Sequence, residues 1–307
     1  MKRLLLITIL PLLVIASLKS QKWISSNIID GSDIEPINST LDAGNNHYVL
    51  FEFIGNIVVQ GNTINSRGSS DLIIIKFDAF SNVVWYNVIS GLLSEYGGDV
   101  TISNTGGIYV SGTSLSNAKF TPTDSILNTG SADIFLASYS PEGVFENVSL
   151  IGYNSAYQQI ESHAIDPLNN RVVISGVFLD SIRFDPGSGS ALTTPYAVGM
   201  FVAWYDFSGN YQNAVLFGSN SQLSKVSNVK VGTDGYYLGG LYRDQFYYFG
   251  DTVSTANTNY DNYIMKIDFD GNYEWLNRVY GLGKENYRDI ATDDYLNVYL
   301  LGNYTST

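Results

Sequence analysis

The chain has 307 residues, a formal net charge of −13, no cysteine and two histidines. Its acidic balance repels nucleic acid and anionic lipid, so neither is an expected partner. Without cysteine there is no disulfide framework and no thiol nucleophile, and two histidines do not supply a zinc site.

In chain order, Lys2 and Arg3 open a short basic region, Leu4 to Ala16 form an apolar run broken by Pro11, and Ser17 to Gln21 are small or polar. That run is shorter than the roughly 20 residues of a membrane span and carries no stop-transfer pattern. Residues 1–21 are therefore expected to be a cleaved export signal, leaving a secreted, extracellular or cell-surface protein with no membrane insertion. Cleavage after Ser20 removes Lys2, Arg3 and Lys19 and leaves 13 basic against 29 acidic residues.

Beyond the signal a unit of 62 to 66 residues recurs. DLIIIKFDAFSNVVW from Asp71, DIFLASYSPEGVFEN from Asp133, GMFVAWYDFSGNYQN from Gly199 and DNYIMKIDFDGNYEW from Asp261 align without a gap. Counted from Trp23, the repeats run over 23–84, 85–146, 147–212, 213–274 and, in part, 275–307. Each parses into four short strands, a to d. Strand a lies near Asn38, Asp99, Ser162, Asn228 and Asp289. Strand b carries Gly112, Gly176, Gly240 and Gly302, strand c is the β-branched and aromatic run, and strand d follows it. The runs are rich in Val, Ile, Tyr and Phe and lack a 3.6-residue period, which predicts strands. A four-stranded unit repeated at fixed period predicts an all-β chain folded as a β-propeller of four-stranded antiparallel blades, about four complete and one partial.

The turns supply a mechanism for this parse. Asp78, Ser140, Asp206 and Asp268 open the c-to-d turns, where a short acceptor side chain captures a backbone N–H two residues on and a Gly or Asn tolerates positive φ. Glycine normally weakens a strand, so its place in strand b marks a bulge or a close approach between neighbouring blades. Phe51 takes that place in the first unit, which should pack differently.

At these residues the chain resembles the secreted bacterial β-propeller repeat family (SBBP-type repeats). Asp71 to Trp85 and Asp261 to Trp275 match best, with Lys76 and Lys266 at the family's basic position. Ser138 and Trp204 depart from that Lys, and Asn147 and Asn213 from the Trp. The resemblance implies an extracellular adhesive or scaffolding module. Trp23 lies one period before Trp85, so QKWISSNI should be a strand d without its c, and the text stops after a strand b. This phase implies a truncated, unclosed ring with exposed strand edges.

Candidate ligand-binding residues lie on two features. The d-to-a connections carry Tyr96, Tyr157 and Tyr287, amphipathic rings suited to sugar or protein contacts. One parity of strand a is polar and is read as channel lining; Asp99, Asn228, Lys230 and Asp289 sit there. His47 and His163 fall at apolar places and read as satisfied core histidines. Asp71, Asp133 and Asp261 recur once per unit but should stand too far apart for joint coordination of a metal. DFDGN has part of a calcium loop without its other ligands, so no cofactor is expected and calcium stays an open alternative. DSI at Asp124 and Asp180 and DTV at Asp251 resemble a bacterial O-glycosylation signal but read as loop turns, and the NST, NVS and NYT sequons carry weight only in a glycosylating host. No catalytic set stands out.

These residues predict a non-catalytic binding or scaffold module for surface glycans or proteins. The alternative is an extracellular carbohydrate-active hydrolase or lyase using axial carboxylates such as Asp99 and Asp289.

Overall fold

A computed structural model describes residues 29–305 apart from 32, 122, 129–130, 153–156, 186, 188–189, 256–258 and 294. The expected export signal and the expected strand around Trp23 lie outside the described residues.

The described residues contain no helix and form antiparallel sheets of two to six strands. After β1 (Ile29–Gly31), the first unit contains β2 (Ile34–Leu41), β3 (His47–Phe53), β4 (Asn56–Val59), β5 (Asn62–Asn65), β6 (Asp71–Phe77) and β7 (Val83–Ile89). The second has β8 (Glu95–Ile102), β9 (Ile108–Ser114), β10 (Asp133–Tyr139) and β11 (Phe145–Ile151). The third has β12 (Gln158–Asp166), β13 (Arg171–Phe178), β14 (Ser181–Ile182), β15 (Leu192–Thr193), β16 (Val198–Asp206) and β17 (Tyr211–Ser219). The fourth has β18 (Lys225–Val231), β19 (Tyr236–Tyr242), β20 (Gln245–Tyr248), β21 (Asp251–Ser254), β22 (Asp261–Ile267) and β23 (Tyr273–Val279), and β24 (Glu285–Thr292) and β25 (Val298–Tyr304) follow. The main sheets run β2-β3-β6-β7, β8-β9-β10-β11, β12-β13-β16-β17 and β18-β19-β22-β23, then the pair β24-β25. Strands a to d thus pair in chain order. The period counted from Trp23 cuts each unit inside its strand d, whereas a sheet begins at strand a.

Alternate residues of one strand feed two different interfaces. On β10, Phe135, Ala137 and Tyr139 pack with Tyr48, Leu50, Leu72 and Ile74 of the preceding sheet. Ile134 and Leu136 pack with Ile160, Ile174 and Phe201 of the following one. Val173, Val202 and Trp204 in turn meet Val229, Leu238 and Met265, while Tyr237 and Ile264 meet Tyr287 and Ile290. A strand apolar on both faces is what a sheet covered on both sides requires, and this is why strand c reads as a continuous run such as LIII. The first strands of consecutive sheets lie alongside each other.

Every strand a carries a bulge at the same place. Its pairing with strand b slips at Pro36/Asn38, Gly97/Val100, Ile160/Ser162, Val226/Asn228 and Tyr287/Asp289. The strand-b glycines stand opposite these slips: Gly112 faces Gly97, Gly176 faces Ile160, Gly240 faces Val226 and Gly302 faces Tyr287. A Cβ on Gly240 would lie 2.1 Å from the Lys225 carbonyl oxygen and 2.9 Å from the Tyr263 ring. The close approach is therefore within one sheet, between the bulged backbone of strand a and an aromatic ring of strand c, and not between neighbouring sheets. The first sheet exchanges the pair, with Phe51 on strand b opposite Ile73 on strand c.

The c-to-d turns follow the chemistry of their first residue. Asp78 accepts the N–H groups of Phe80 and Asn82 on one oxygen and the Asn82 amide on the other; Asp206 and Asp268 repeat the pattern. Gly143, Gly209 and Gly271 take positive φ at the turn, and Ser81 does so in the first copy. Trp85 donates its indole N–H to Pro141 at 3.1 Å and so ties one sheet to the next unit's turn; Trp275 packs beside Tyr237.

The long b-to-c connections also have a common form. The later three fold back onto the end of the preceding unit's strand d, and the first lies on β1. β4–β5 pairs with β1. Lys119 bridges Ser90, Gly152 donates to the Arg183 carbonyl, and β20–β21 pairs with β17. On the last pair, β25 has no strand on its far side among the described residues, and Tyr299, Leu301 and Tyr304 are exposed there.

Candidate functional site

The polar parity of strand a forms a line of contacts across consecutive sheets. Asp99 accepts from the Asn38 amide, from the Ser162 hydroxyl at 3.0 Å and from the His163 N–H at 3.1 Å. One buried carboxylate therefore ties three first strands together. Its bulge places it there: the slip between Gly97 and Val100 turns Asp99 out of the ladder toward both neighbours. Further along, Lys230 and Asp289 form an ion pair at 3.7 Å with both side chains largely exposed. Asn228 is half-buried on the same strand as Lys230. The two expected axial carboxylates thus sit in separate networks, and Asp99 serves as a structural acceptor.

The histidines divide. His163 is buried, and its ring nitrogens meet the hydroxyls of Ser111 at 2.7 Å and Thr101 at 2.6 Å. Burial pushes its pKa down and keeps the ring neutral. His47 is exposed at the start of β3. It aligns with the buried Ile108, Val172 and Tyr236 but is not a core residue.

The three expected tyrosines occupy inequivalent places. Tyr96 lies in β8, pairs with Thr113 and is exposed. Tyr157 bridges Ala132 just before β12, and its hydroxyl meets Gln159 at 2.5 Å. Tyr287 is buried inside β24 opposite Gly302 and packs in the core. Tyr96 directly follows Glu95 whereas Tyr287 lies two residues after the equivalent Glu285, and that one-residue offset reverses the side chain in the strand. Tyr96 lies near enough to Tyr157 to raise its pKa alongside burial and Glu161, so these two share a face and Tyr287 does not join them.

That face holds a cavity of 370 Å³ lined by Tyr157, Gln159, Glu161, Leu179, Leu223 and Lys225, among others. Lys225 and Glu161 form an ion pair at 2.5 Å. Glu161 is the residue that the β12 bulge extrudes, and burial raises its pKa against the opposing pull of Lys225. The arrangement offers one carboxylate, one ammonium, an amide and a phenol around apolar walls. It is chemistry suited to recognition: the lining holds no second carboxylate, and its one serine, Ser224, is buried and hydrogen-bonded to the Ser219 hydroxyl and the Arg243 N–H.

The recurring acids at the start of strand c meet a partner the sequence reading missed. Asp71 contacts Glu95, at the start of the next unit's strand a, and Asp261 contacts Glu285 in the same way. Both pairs are buried. Burial and the neighbouring Asp71 carboxyl push Glu95 up to about 8, and burial raises Asp71 against the opposing hydrogen bond from Glu95, so the pair holds a shared proton near neutrality. The N–H of Gly91 serves the first pair and that of Gly281 the second. In the second-to-third junction Gln158 replaces the glutamate beside Asp133, and in the next Gly199 and Ser224 carry no acid. The repeated G-L-x-x-E of GLLSE and GLGKE was the signal in the sequence. Among the described residues no group of three or more His, Cys, Asp or Glu is arranged to hold a metal, and no helix is long and apolar enough to cross a membrane.

No family model matches the chain, and no curated protein matches it. Among solved structures it is similar to the crystal structure of a protein of unknown function from Bacteroides caccae, at 10% identity over 81% of this chain and 69% of that one, with a TM-score of 0.42. A likeness at that score carries no weight for fold or function.

Proposed function

We propose that the chain is a secreted β-propeller of the SBBP-like kind that binds a surface glycan or protein without transforming it. The propeller reading rests on the chain-order pairing of strands a to d, the adjoining first strands and the apolar layers shared by consecutive sheets. An open sandwich of two sheets would not distribute alternate residues of every strand between two neighbours in succession.

One observation carries the binding reading: the cavity at the start of strands a presents Tyr157, Glu161 and Lys225 on a rigid base, with Tyr96 alongside. Loops and strand ends on a fixed scaffold are where recognition residues concentrate. The hydrolase or lyase reading needs two carboxylates at one centre, whereas Asp99 is committed to three hydrogen bonds and Asp289 to Lys230. A glycan array on the mature protein, followed by turnover assays on every hit, tests this. Binding without product release is the expected result. Product release that disappears in Asp289→Asn, in a variant that keeps its thermal midpoint, would replace the module by an enzyme.

A further inference from the structure

The b-to-c hairpins build a second kind of recess, on the rim. Each groove lies between the end of a strand d and the hairpin that the next unit lays across it. One groove of 490 Å³ is lined by Arg67, Tyr86, Asn87 and Lys119. Another of 410 Å³ is lined by Asn147, Ser149, Asp185 and Tyr211. The groove on β17, of 360 Å³, is the aromatic one: Tyr196, Phe217, Tyr247, Tyr248 and Phe249 line it with Thr194, Asp251 and Thr252. These volumes lie within the roughly 300–1,000 Å³ of small-ligand clefts.

The repeat provides an internal control for this groove. NIVVQGNTIN (Asn56–Asn65) and QFYYFGDTVS (Gln245–Ser254) are equivalent hairpins, each closed by a two-residue turn with both residues at positive φ. The turn residues are Gln60 and Gly61 at φ 52° and 78°, and Phe249 and Gly250 at 45° and 87°. Such turns favour Asn, Asp or Gly first, and a bulky residue there is an outlier. Gln60 fulfils the structural duty of the site by donating to the Val83 carbonyl at 2.8 Å, at the start of its own strand d. Phe249 reaches the equivalent place, the Tyr273 ring at 5.5 Å, and packs edge-on to Phe217 at 5.7 Å, yet leaves 42% of its surface exposed. The fold asks for no ring at this turn; an outlier kept with its apolar surface in water points to function.

The neighbouring rings are set for stacking. Tyr196 and Tyr247 lie 4.2 Å apart at 14°, and Tyr196 rests on the bare backbone of Gly218, where a Cβ would come within 1.9 Å of its ring. Asn220 fixes the Tyr247 hydroxyl at 3.0 Å. Ring faces beside hydroxyls and a carboxylate match the two-sided chemistry of a pyranose, with its apolar C–H face and polar rim. Asp251 at the edge and the acidic chain as a whole disfavour a negatively charged sugar.

We infer that this groove binds a neutral oligosaccharide, stacked on Phe249 and the Tyr196–Tyr247 pair and hydrogen-bonded by Thr194, Asp251 and Thr252. The inference rests on the glycan arm of the binding reading and places the ligand on the rim, away from Tyr157. Titration calorimetry with cellohexaose, laminarihexaose and mannohexaose, and with a polygalacturonate hexamer as the anionic probe, tests it. The variant Tyr247→Val with Phe249→Gln copies the first unit's residues, so the fold has a precedent for it. At least a tenfold loss of affinity for a neutral hexamer, with an unchanged thermal midpoint, is the expected result. Full binding by this variant, or tighter binding of the anionic probe, overturns the rim site. If binding is lost instead in Tyr157→Ala, glycan recognition stands and only its placement here fails. If the native protein binds none of the four probes, the rim site is overturned, while the wider binding reading is judged by the array and by protein partners.

Discussion

The first and fourth sheets have the same strand order, the same bulge on strand a and the same outrigger hairpin, yet they fill equivalent positions with opposite residues. Phe51 lies over Ile73 in one, and Gly240 lies under Tyr263 in the other. Gln60 caps one hairpin turn and Phe249 the other. The comparison separates two kinds of position. In the interior, the ring of a strand pair can change sides, standing on strand b in the first sheet and on strand c in the fourth. On the rim the backbone is conserved while the side chains change chemistry.

The largest expected effect breaks the interior half of this comparison. Gly240→Ala places a methyl against the Lys225 carbonyl and the Tyr263 ring and should cost about 3 kcal/mol of stability in denaturant titration. Phe51→Gly in the first sheet should cost about 2 kcal/mol for the opposite reason, loss of a half-buried ring. If the paired residues trade volume, Gly240→Phe with Tyr263→Ile should recover part of the loss of Gly240→Phe alone, with a coupling of about 1 kcal/mol or more. Strict additivity would contradict the exchange.

The next contrast is along strand a. Asp99→Ala leaves the Asn38 amide, the Ser162 hydroxyl and the His163 N–H without their acceptor, a loss of about 2–4 kcal/mol. The exposed ion pair of Asp289 should make Asp289→Ala nearly silent, within about 0.5 kcal/mol. Equal effects would show that Asp99 is not the clasp of the three strands.

The junctions give a contrast in pH. The raised pKa of Glu95 means the folded protein holds a proton that the unfolded chain releases near the ordinary carboxylate range. Its contribution is complete below that range and is lost as pH rises through about 8, so the thermal midpoint should fall from pH 5 to pH 9. The change is on the order of a few kcal/mol. Glu95→Gln copies Gln158 of the following junction and should flatten this decline. A decline of the same size in the variant would assign it to other groups. The smallest effect belongs to the rim: Phe249→Gln should shift stability by no more than about 0.5 kcal/mol, since Gln60 already serves the equivalent turn.

Much of this frame was legible in the residues. The strand runs, the Asp-led turns and the glycine ladder are local signals, and each follows from the backbone chemistry of a few adjacent residues. Three features were not legible. The tyrosines Tyr96, Tyr157 and Tyr287 look alike in place, but Tyr287 stands one residue further from its glutamate than Tyr96 does, and side-chain direction in a strand reverses with one residue, which sends Tyr287 into the core. The partners of Asp71 and Asp261 lie in the next unit, so a comparison of each acid with its own repeats could not find them. The rim hairpins are too short for a periodic pattern, and their place over the previous unit is a tertiary fact. Only the match between NIVVQGNTIN and QFYYFGDTVS could have exposed them.

The most direct test of the claim that a repeated frame carries specialised side chains is a crystal structure of the protein soaked with the neutral hexasaccharide it binds best. The account predicts a pyranose ring lying against Phe249 and the Tyr196–Tyr247 stack, with the equivalent turn at Gln60 bare. Sugar density at Gln60 as well, or on the Tyr157 face with the aromatic groove bare, would contradict it.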